Sequence, residues 1–386
     1  MAPPENTMNA RLFSSQPLRD VVLPNRIVVS PMSQYSATNG MANDWHTVTY
    51  GKFAQGGAGM VMVETAAITP QGRGTYGDLG LWNDEQIAPL AKIAEFIASQ
   101  GAVPALQIGH AGRKGSLQRP WEGYGVLTDK EKARGEVPWP TVAPSAIATG
   151  PGMAVPSALT VDELQAMLLQ WQAAARRALQ AGFQVLELHC AHGYLLHQFL
   201  SPLANTRTDA YGGDLEKRMA FPLEVVRAVR AVWPAHLPLM CRVSAVDGAD
   251  GGYTLEDTIV FARALRAAGV DVIDCSSGGI SGLSTAGNRL PRSLGYQVPY
   301  AEAIRQQAGI LTMAVGLIVE PEQAESILEK DQADLIAVGR EILYNPNWPL
   351  HARQALVARD FAHWPAPYGW WLQKRQAVLA TFAEQA

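Results

Sequence analysis

Short apolar runs recur along the chain, and each ends in a polar or glycine-bearing step. They occupy residues 26–31, 59–65, 104–110, 185–189, 239–244, 272–276, 311–316 and 335–339. Runs this short, bounded by turn residues, read as buried strands. Most are separated by stretches of helical period. Residues 86–100 form one. Residues 161–181 form another, opening after a Thr160 cap and closing at Ala181-Gly182 as a helix C-terminus should. Eight alternating units predict an α/β chain with one closed parallel sheet, a single (β/α)8 TIM barrel over 1–386. An open doubly wound sheet needs fewer units.

Two loops and the tail interrupt this rhythm. Residues 115–153, after the third strand, are rich in Pro, Gly, Trp and charge, as in Arg119-Pro120-Trp121-Glu122-Gly123. Long loops in compact domains are lids, binding loops or mobile insertions. A lid or dimer arm is expected here. Residues 280–295 form a second such loop. The tail, 364–386, carries Trp364, Trp370 and Trp371, three of the ten Trp in the chain. It reads as packing on the molecule's own surface or as a dimer contact, reaching a neighbouring subunit's mouth.

Composition narrows the function. The formal net charge is −4 and no basic stripe is visible, which argues against a nucleic-acid or anionic-membrane surface. Cys190, Cys241 and Cys275 form no CxxC pair, so neither zinc nor an iron–sulfur cluster is supported. No apolar stretch approaches the roughly 20 residues of a membrane helix, and the first residues lack a signal pattern. A cytoplasmic protein is expected.

Barrel chemistry sits where strands end. There the fourth run leads into His189-Cys190-Ala191-His192-Gly193-Tyr194. If the strand ends near His189, both imidazoles and the phenol converge on one mouth. Two hydrogen-bond donors and a proton donor suit polarising a carbonyl and protonating a neighbouring carbon. Gln107 points inward from the third run and can donate and accept, which fits a heterocycle edge such as a flavin pyrimidine. Arg242 points inward from the fifth and needs an anion, since an unpaired buried charge costs several kcal/mol. A structural glutamine, or an arginine paired with a core carboxylate such as Glu187, is the plainer alternative. The last two runs end at Gly316 and Gly339-Arg340, where barrels often bind phosphate through backbone N–H groups. No Walker motif or GxGxxG follows a strand, so a mononucleotide fits better than a dinucleotide. His46 and His110 also lie near strand ends. Four histidines raise zinc or iron, but HxxH is not a standard zinc spacing, and no metal is expected.

These residues resemble the old yellow enzymes, the FMN-dependent ene-reductases, and most closely their bacterial thermophilic-like class. The shared motifs run through nearly the whole chain. They are Asn25-Arg26-Ile27, Pro31-Met32, Gln107-Ile108-Gly109-His110-Ala111-Gly112-Arg113-Lys114, the His189 to Tyr194 segment, Arg207-Thr208-Asp209-Ala210-Tyr211-Gly212-Gly213 and Gly339-Arg340-Glu341. The resemblance implies FMN at the C-terminal mouth and ping-pong transfer from NADPH or NADH to an enone or nitroalkene. It implies that Ser30, Pro31, Met32, Ser33 and Thr65 line the flavin and that Gln107 bonds its pyrimidine. Arg242 would face the atoms that become anionic on reduction, and Gly316, Gly339 and Arg340 would hold the phosphate. His189 and His192 would bind the substrate oxygen with Tyr35 beside them, and Tyr194 would deliver the proton. A homodimer or homotetramer is expected.

The chain departs from the family pattern at several points. Ser33 stands where this class usually has cysteine, Thr65 where alanine is common, and Val315 where some relatives place Trp. Trp370 or Trp371 falls where some members insert an arginine into the neighbour's site, which makes Trp371 a candidate substrate contact. Other readings are an FMN barrel that desaturates ketones or reduces a CoA-linked or aromatic biosynthetic intermediate, a metal-dependent hydrolase, and a flavin protein without turnover.

Overall fold

The computed structural model describes residues 10–282 and 290–383. Eight parallel strands close into a barrel: β1 (Ile27–Val29), β2 (Met60–Ala67), β3 (Val103–Gly109), β4 (Val185–Cys190), β5 (Leu239–Ser244), β6 (Val272–Ser276), β7 (Leu311–Ala314) and β8 (Leu335–Val338). Each pairs with the next, and β8 returns to β1 through Ile336 opposite Ile27. All eight apolar runs are these strands. They read as runs rather than as alternations because both faces are covered, one by helices and one by the packed lumen. A helix follows each strand: α1 (Asp44–Gln55), α2 (Ile87–Ser99), α3 (Val161–Gln180), α4 (Leu215–Arg230), α5 (Leu255–Ala267), α6 (Val298–Ala308), α7 (Pro321–Glu329) and α8 (Trp348–Leu356). Thr160 caps α3 as expected, its side chain accepting from the Glu163 amide.

The lumen has its own core, including Val28, Met62, Ala105, Val185, Met240 and Met313. A hairpin that the sequence pattern did not reveal, Gln16–Leu18 with Val21–Leu23, closes the lower end, and its Leu18, Val21 and Leu23 join that core. The upper end is left for chemistry.

The insertion after β3 is fastened to the barrel. The Trp139 indole donates to the Gln71 carbonyl at 3.1 Å, and the Tyr76 hydroxyl donates to the Val137 carbonyl at 2.8 Å. The Arg73 guanidinium lies 5.1, 5.3 and 5.2 Å from the ring centres of Tyr76, Trp82 and Trp139. Within the insertion, Arg134 grips Glu122 with two bonds of 2.6 Å, and Arg119 meets Glu136 at 2.8 Å. These contacts fasten it beside the mouth, whose lining Pro120 and Tyr124 join. Residues 283–289 of the second long loop lie outside the described residues. The tail is a helix, Ala366–Ala383, lying almost entirely in solvent, with Trp371 67% exposed. Among the described residues no helix is long and apolar enough to cross a membrane.

Candidate active site

A cavity of about 630 Å³ opens at the C-terminal ends of the strands. The sequence-derived candidates Ser30, Pro31, Met32, Ser33, Tyr35, Thr65, Gln107, His189, His192, Tyr194, Arg242, Gly316, Gly339 and Arg340 all line it. Trp371 does not; it sits on the exposed tail helix. His46 and His110 are also outside it. His46 belongs to α1, accepts from the Asn43 amide and lies 3.5 Å from Glu64 in the shell between helix and barrel. His110 accepts from the Gly112 amide at 3.0 Å. No cluster of His, Cys, Asp and Glu suited to a metal occurs among the described residues.

The turn after β4 brings the two imidazoles together. His192 and Gly193 take φ of +59° and +70° and reverse the chain directly beyond Cys190. A Cβ on Gly193 would lie 2.2 Å from the Gly279 carbonyl oxygen, so only glycine fits there. As a result the His189 and His192 ring centres are 5.1 Å apart, and His189 and Tyr194 are 4.7 Å apart. His189 Nδ1 accepts from the Ala191 amide at 3.2 Å, which leaves Nε2–H for the cavity. His192 Nε2 lies 2.7 Å from Ser276 Oγ, and Nδ1 is its other nitrogen.

Below the turn, a buried histidine–carboxylate hydrogen bond fixes its course. The Gly193 amide donates to His197 Nδ1 at 2.8 Å, so the His197 proton is on Nε2, 2.9 Å from Asp247 Oδ1. Asp247 also accepts from Ser201 Oγ and the Tyr253 amide, at 2.6 and 2.7 Å. Burial alone would raise its carboxyl; His197 and Ser201 pull it below the ordinary value. Lys114, 1% exposed, donates to the carbonyls of His192 and Gly279. Burial, helped by Arg113, lowers its ammonium to about 7.

Burial, then the charge of Arg242, holds both His189 and His192 well below the usual imidazole range, so they stand neutral. Burial, then the phenols of Tyr124 and Tyr35, holds Tyr194 well above the usual phenol value, so it keeps its proton.

The floor is polar. Gln107 Nε2 donates to Glu187 Oε1 at 2.7 Å, and Gln107 Oε1 accepts from Thr65 Oγ1. Arg242 Nε meets Asp274 Oδ2 at 3.2 Å, and Nη1 donates to Ser30 Oγ at 3.2 Å. The core carboxylate beside the arginine is therefore Asp274. Register explains why it is not Glu187: Arg242 stands opposite Asp274 on β6 and His189 on β4, whereas Glu187 faces Met240. Burial and the charge of Asp274 push the Glu187 carboxyl up to about 8.

Sequence reasoning passed over Ser276, Ser244 and Tyr124. Ser276 touches His192, and Ser244 Oγ accepts from the His192 amide at 2.9 Å. Both are polar residues at strand ends, the same signal that exposed Gln107 and Arg242. Tyr124, from the insertion, lines the mouth and carried no pattern of its own.

A parallel barrel whose mouth joins an inward amide and an inward guanidinium to glycines after β7 and β8 is the architecture of a flavin oxidoreductase. The chain belongs to the NADH:flavin oxidoreductase / NADH oxidase family, that of the old yellow enzymes, whose profile it matches over residues 11–358. It is 44% identical over 349 residues to the NADPH dehydrogenases of Listeria welshimeri and Listeria innocua, covering 90% of this chain and 95% of theirs. Among solved structures it is similar to morphinone reductase in complex with tetrahydroNAD, with a TM-score of 0.73 and 26% identity over 90% of this chain and 92% of that one. It is also similar to 2-naphthoyl-CoA reductase with its naphthoyl-CoA, at a TM-score of 0.79 and 25% identity over 91% of this chain; it spans 53% of that enzyme. The chain is thus an NAD(P)H-dependent flavin oxidoreductase with FMN as its cofactor. The mouth fits such a group. Gly316 takes φ +117°, and a Cβ on Gly339 would meet only Met32 and Ser30 at ordinary contact distance, so both glycines leave bare backbone facing the cavity beside Arg340.

Proposed function

We propose that this enzyme reduces the activated C=C bond of α,β-unsaturated carbonyl or nitro compounds by ping-pong turnover with NAD(P)H. The observation that carries the reading is the convergence of two neutral imidazoles and an un-ionised phenol over one cavity. FMN, when bound, supplies the hydride chemistry between nicotinamide and the substrate's β-carbon. Ser30, Pro31, Met32, Ser33 and Thr65 line the ring's place, and Gln107 meets its pyrimidine edge. Gly316, Gly339 and Arg340 take the phosphate, and Arg242 faces the side of the ring where negative charge gathers. His189 donates from Nε2–H to the substrate oxygen. His192 donates from Nδ1 when Ser276 donates to its Nε2. Charge grows on that oxygen in the transition state, so fixed donors there act more strongly than in the ground state. Tyr35 adds a hydroxyl on the same side, and Tyr194 gives its proton to the α-carbon. An imidazolium would be the stronger acid, but burial keeps both rings neutral and leaves the phenol as the proton source.

The test is anaerobic titration of the yellow holoenzyme with NADPH, followed by a panel of enones. Stoichiometric bleaching, then recovery of colour with cyclohexenone, is the expected result. Recovery with oxygen alone, and with no enone or nitroalkene, would overturn the reading.

We also propose a cytoplasmic homo-oligomer in which Trp371 approaches a neighbouring mouth, since the tail helix leaves Trp370, Trp371 and Phe382 in solvent. Truncation after Pro367 is then expected to weaken substrate binding and lower the oligomer mass. An unchanged KM with an unchanged mass counts against it.

A further inference from the structure

The barrel lumen is apolar except beneath the mouth, where it carries two carboxylates. Glu187 on β4 and Asp274 on β6 are both fully buried, and Arg242 on β5 is the one cation facing them among the described residues. Asp274 has the ion pair. Glu187 has only the Gln107 amide from β3. Its Oε2, and both oxygens of Asp274, lack any hydrogen bond. The other titratable neighbours add no positive charge. His189, above Glu187 on the same strand, is neutral. The Cys241 thiol on β5 keeps its proton because burial holds it far above its ordinary value.

Two ionised carboxylates and one guanidinium would leave this dry floor with a net negative charge. A buried charge without a partner costs several kcal/mol. One proton removes the imbalance, and Glu187, the acid without the ion pair, is where it goes. The location matters because the floor lies under the place where the flavin gains negative charge.

We propose that Glu187 is the neutral member of a lumen carboxylate pair, and that above the pH at which it ionises it takes up a proton each time the flavin is reduced. This rests on FMN lying across the mouth. The step balances. NAD(P)H gives the ring a hydride, two electrons and one proton, and leaves oxidised. The ring gains one negative charge. A second proton, drawn from water, joins the Glu187 carboxylate and cancels it. Glu187 is here a positioning residue for charge, acting through Gln107 and Arg242.

The midpoint potential of the holoenzyme against pH tests this. Each proton per two-electron reduction contributes about 30 mV per pH unit, the equivalent of a tenfold change in K. In the wild type the slope is expected to steepen from one proton to two as pH rises through the Glu187 value. A proton held on the flavin itself gives the opposite curvature, since it is lost as pH rises. Glu187→Gln keeps an acceptor for Gln107 and cannot ionise; its slope should stay at one proton. The same steepening in Glu187→Gln overturns the proposal, as does its absence from the wild type. Asp274→Asn decides the matter if Glu187→Gln does not fold. With its repulsion gone, the steepening should move to lower pH, and an unmoved steepening sinks the idea. A wild-type protein that takes up no flavin overturns the FMN placement instead. In that protein the infrared difference between wild type and Glu187→Gln, in which the band of the buried Glu64 cancels, still decides whether the floor holds a proton: a protonated-acid C=O component present in the wild type alone supports it, and none overturns it.

Discussion

Arg242→Met is expected to lower the stability of the barrel by about 3–5 kcal/mol, the usual cost of leaving one member of a buried ion pair alone. Methionine replaces the volume, so little of the loss comes from packing. What remains is Asp274, fully buried, with neither its 3.2 Å contact nor any hydrogen bond. The sign of the pH dependence follows. Without its cation Asp274 retains its proton in the folded state, so its folded pKa lies above the unfolded value. Stability is then lost as pH rises through and beyond the ordinary aspartate value of about 3.9, and the deficit shrinks as pH falls toward it. Urea denaturation at neutral and at mildly acidic pH measures both terms. A deficit below about 1 kcal/mol, the worth of an exposed pair, would show that Asp274 does not depend on Arg242. The variant is also expected to release FMN on dilution.

The second large effect concerns His189. Removing one preorganised donor from a developing oxyanion costs on the order of 10²–10³ in kcat. His189→Ala should impose that loss on the oxidative half-reaction with enones, read by stopped-flow recovery of flavin colour. His192→Ala should fall in the same range and leave Ser276 only its 3.5 Å bond to Gln297. The double variant should lose less than the product of the two, because both rings serve one oxygen. Equal enone rates in wild type and both single variants would remove the histidines from the chemistry.

Much of this site is legible in the order of residues alone, and the reasons are local. Each strand is bordered by turn residues and buried on both faces, so its run stands out. Gln107, His189 and Arg242 are polar residues placed inside such runs, and burial makes a polar residue informative. The hairpin under the barrel was not legible. Its strands have three residues each, Pro17 sits inside one, and the turn places Arg19 at φ +51° where glycine or asparagine would have signalled it. Nor was the tail helix announced, because Pro365, Pro367 and Gly369 crowd its start. The partner of Arg242 depends on which residues stand side by side across β5 and β6, a matter of register that no single strand records. Tyr124 reaches the mouth from inside the insertion, where backbone pairing of Gln118 with Gly125 flanks it, and no periodicity announces that turn.

The way that insertion is attached has a practical consequence. Beyond its own ion pairs and the neighbouring turn, Gln71 to Tyr76, it is held by Arg113, which donates to the Ile147 carbonyl, by Arg207, which donates to the Pro144 carbonyl, and by its own Arg119, which donates to the Tyr35 carbonyl. Transplanted with that turn alone it should therefore lose its seat over the mouth, and a graft that keeps its acceptor preference needs the equivalents of Arg113 and Arg207 in the recipient.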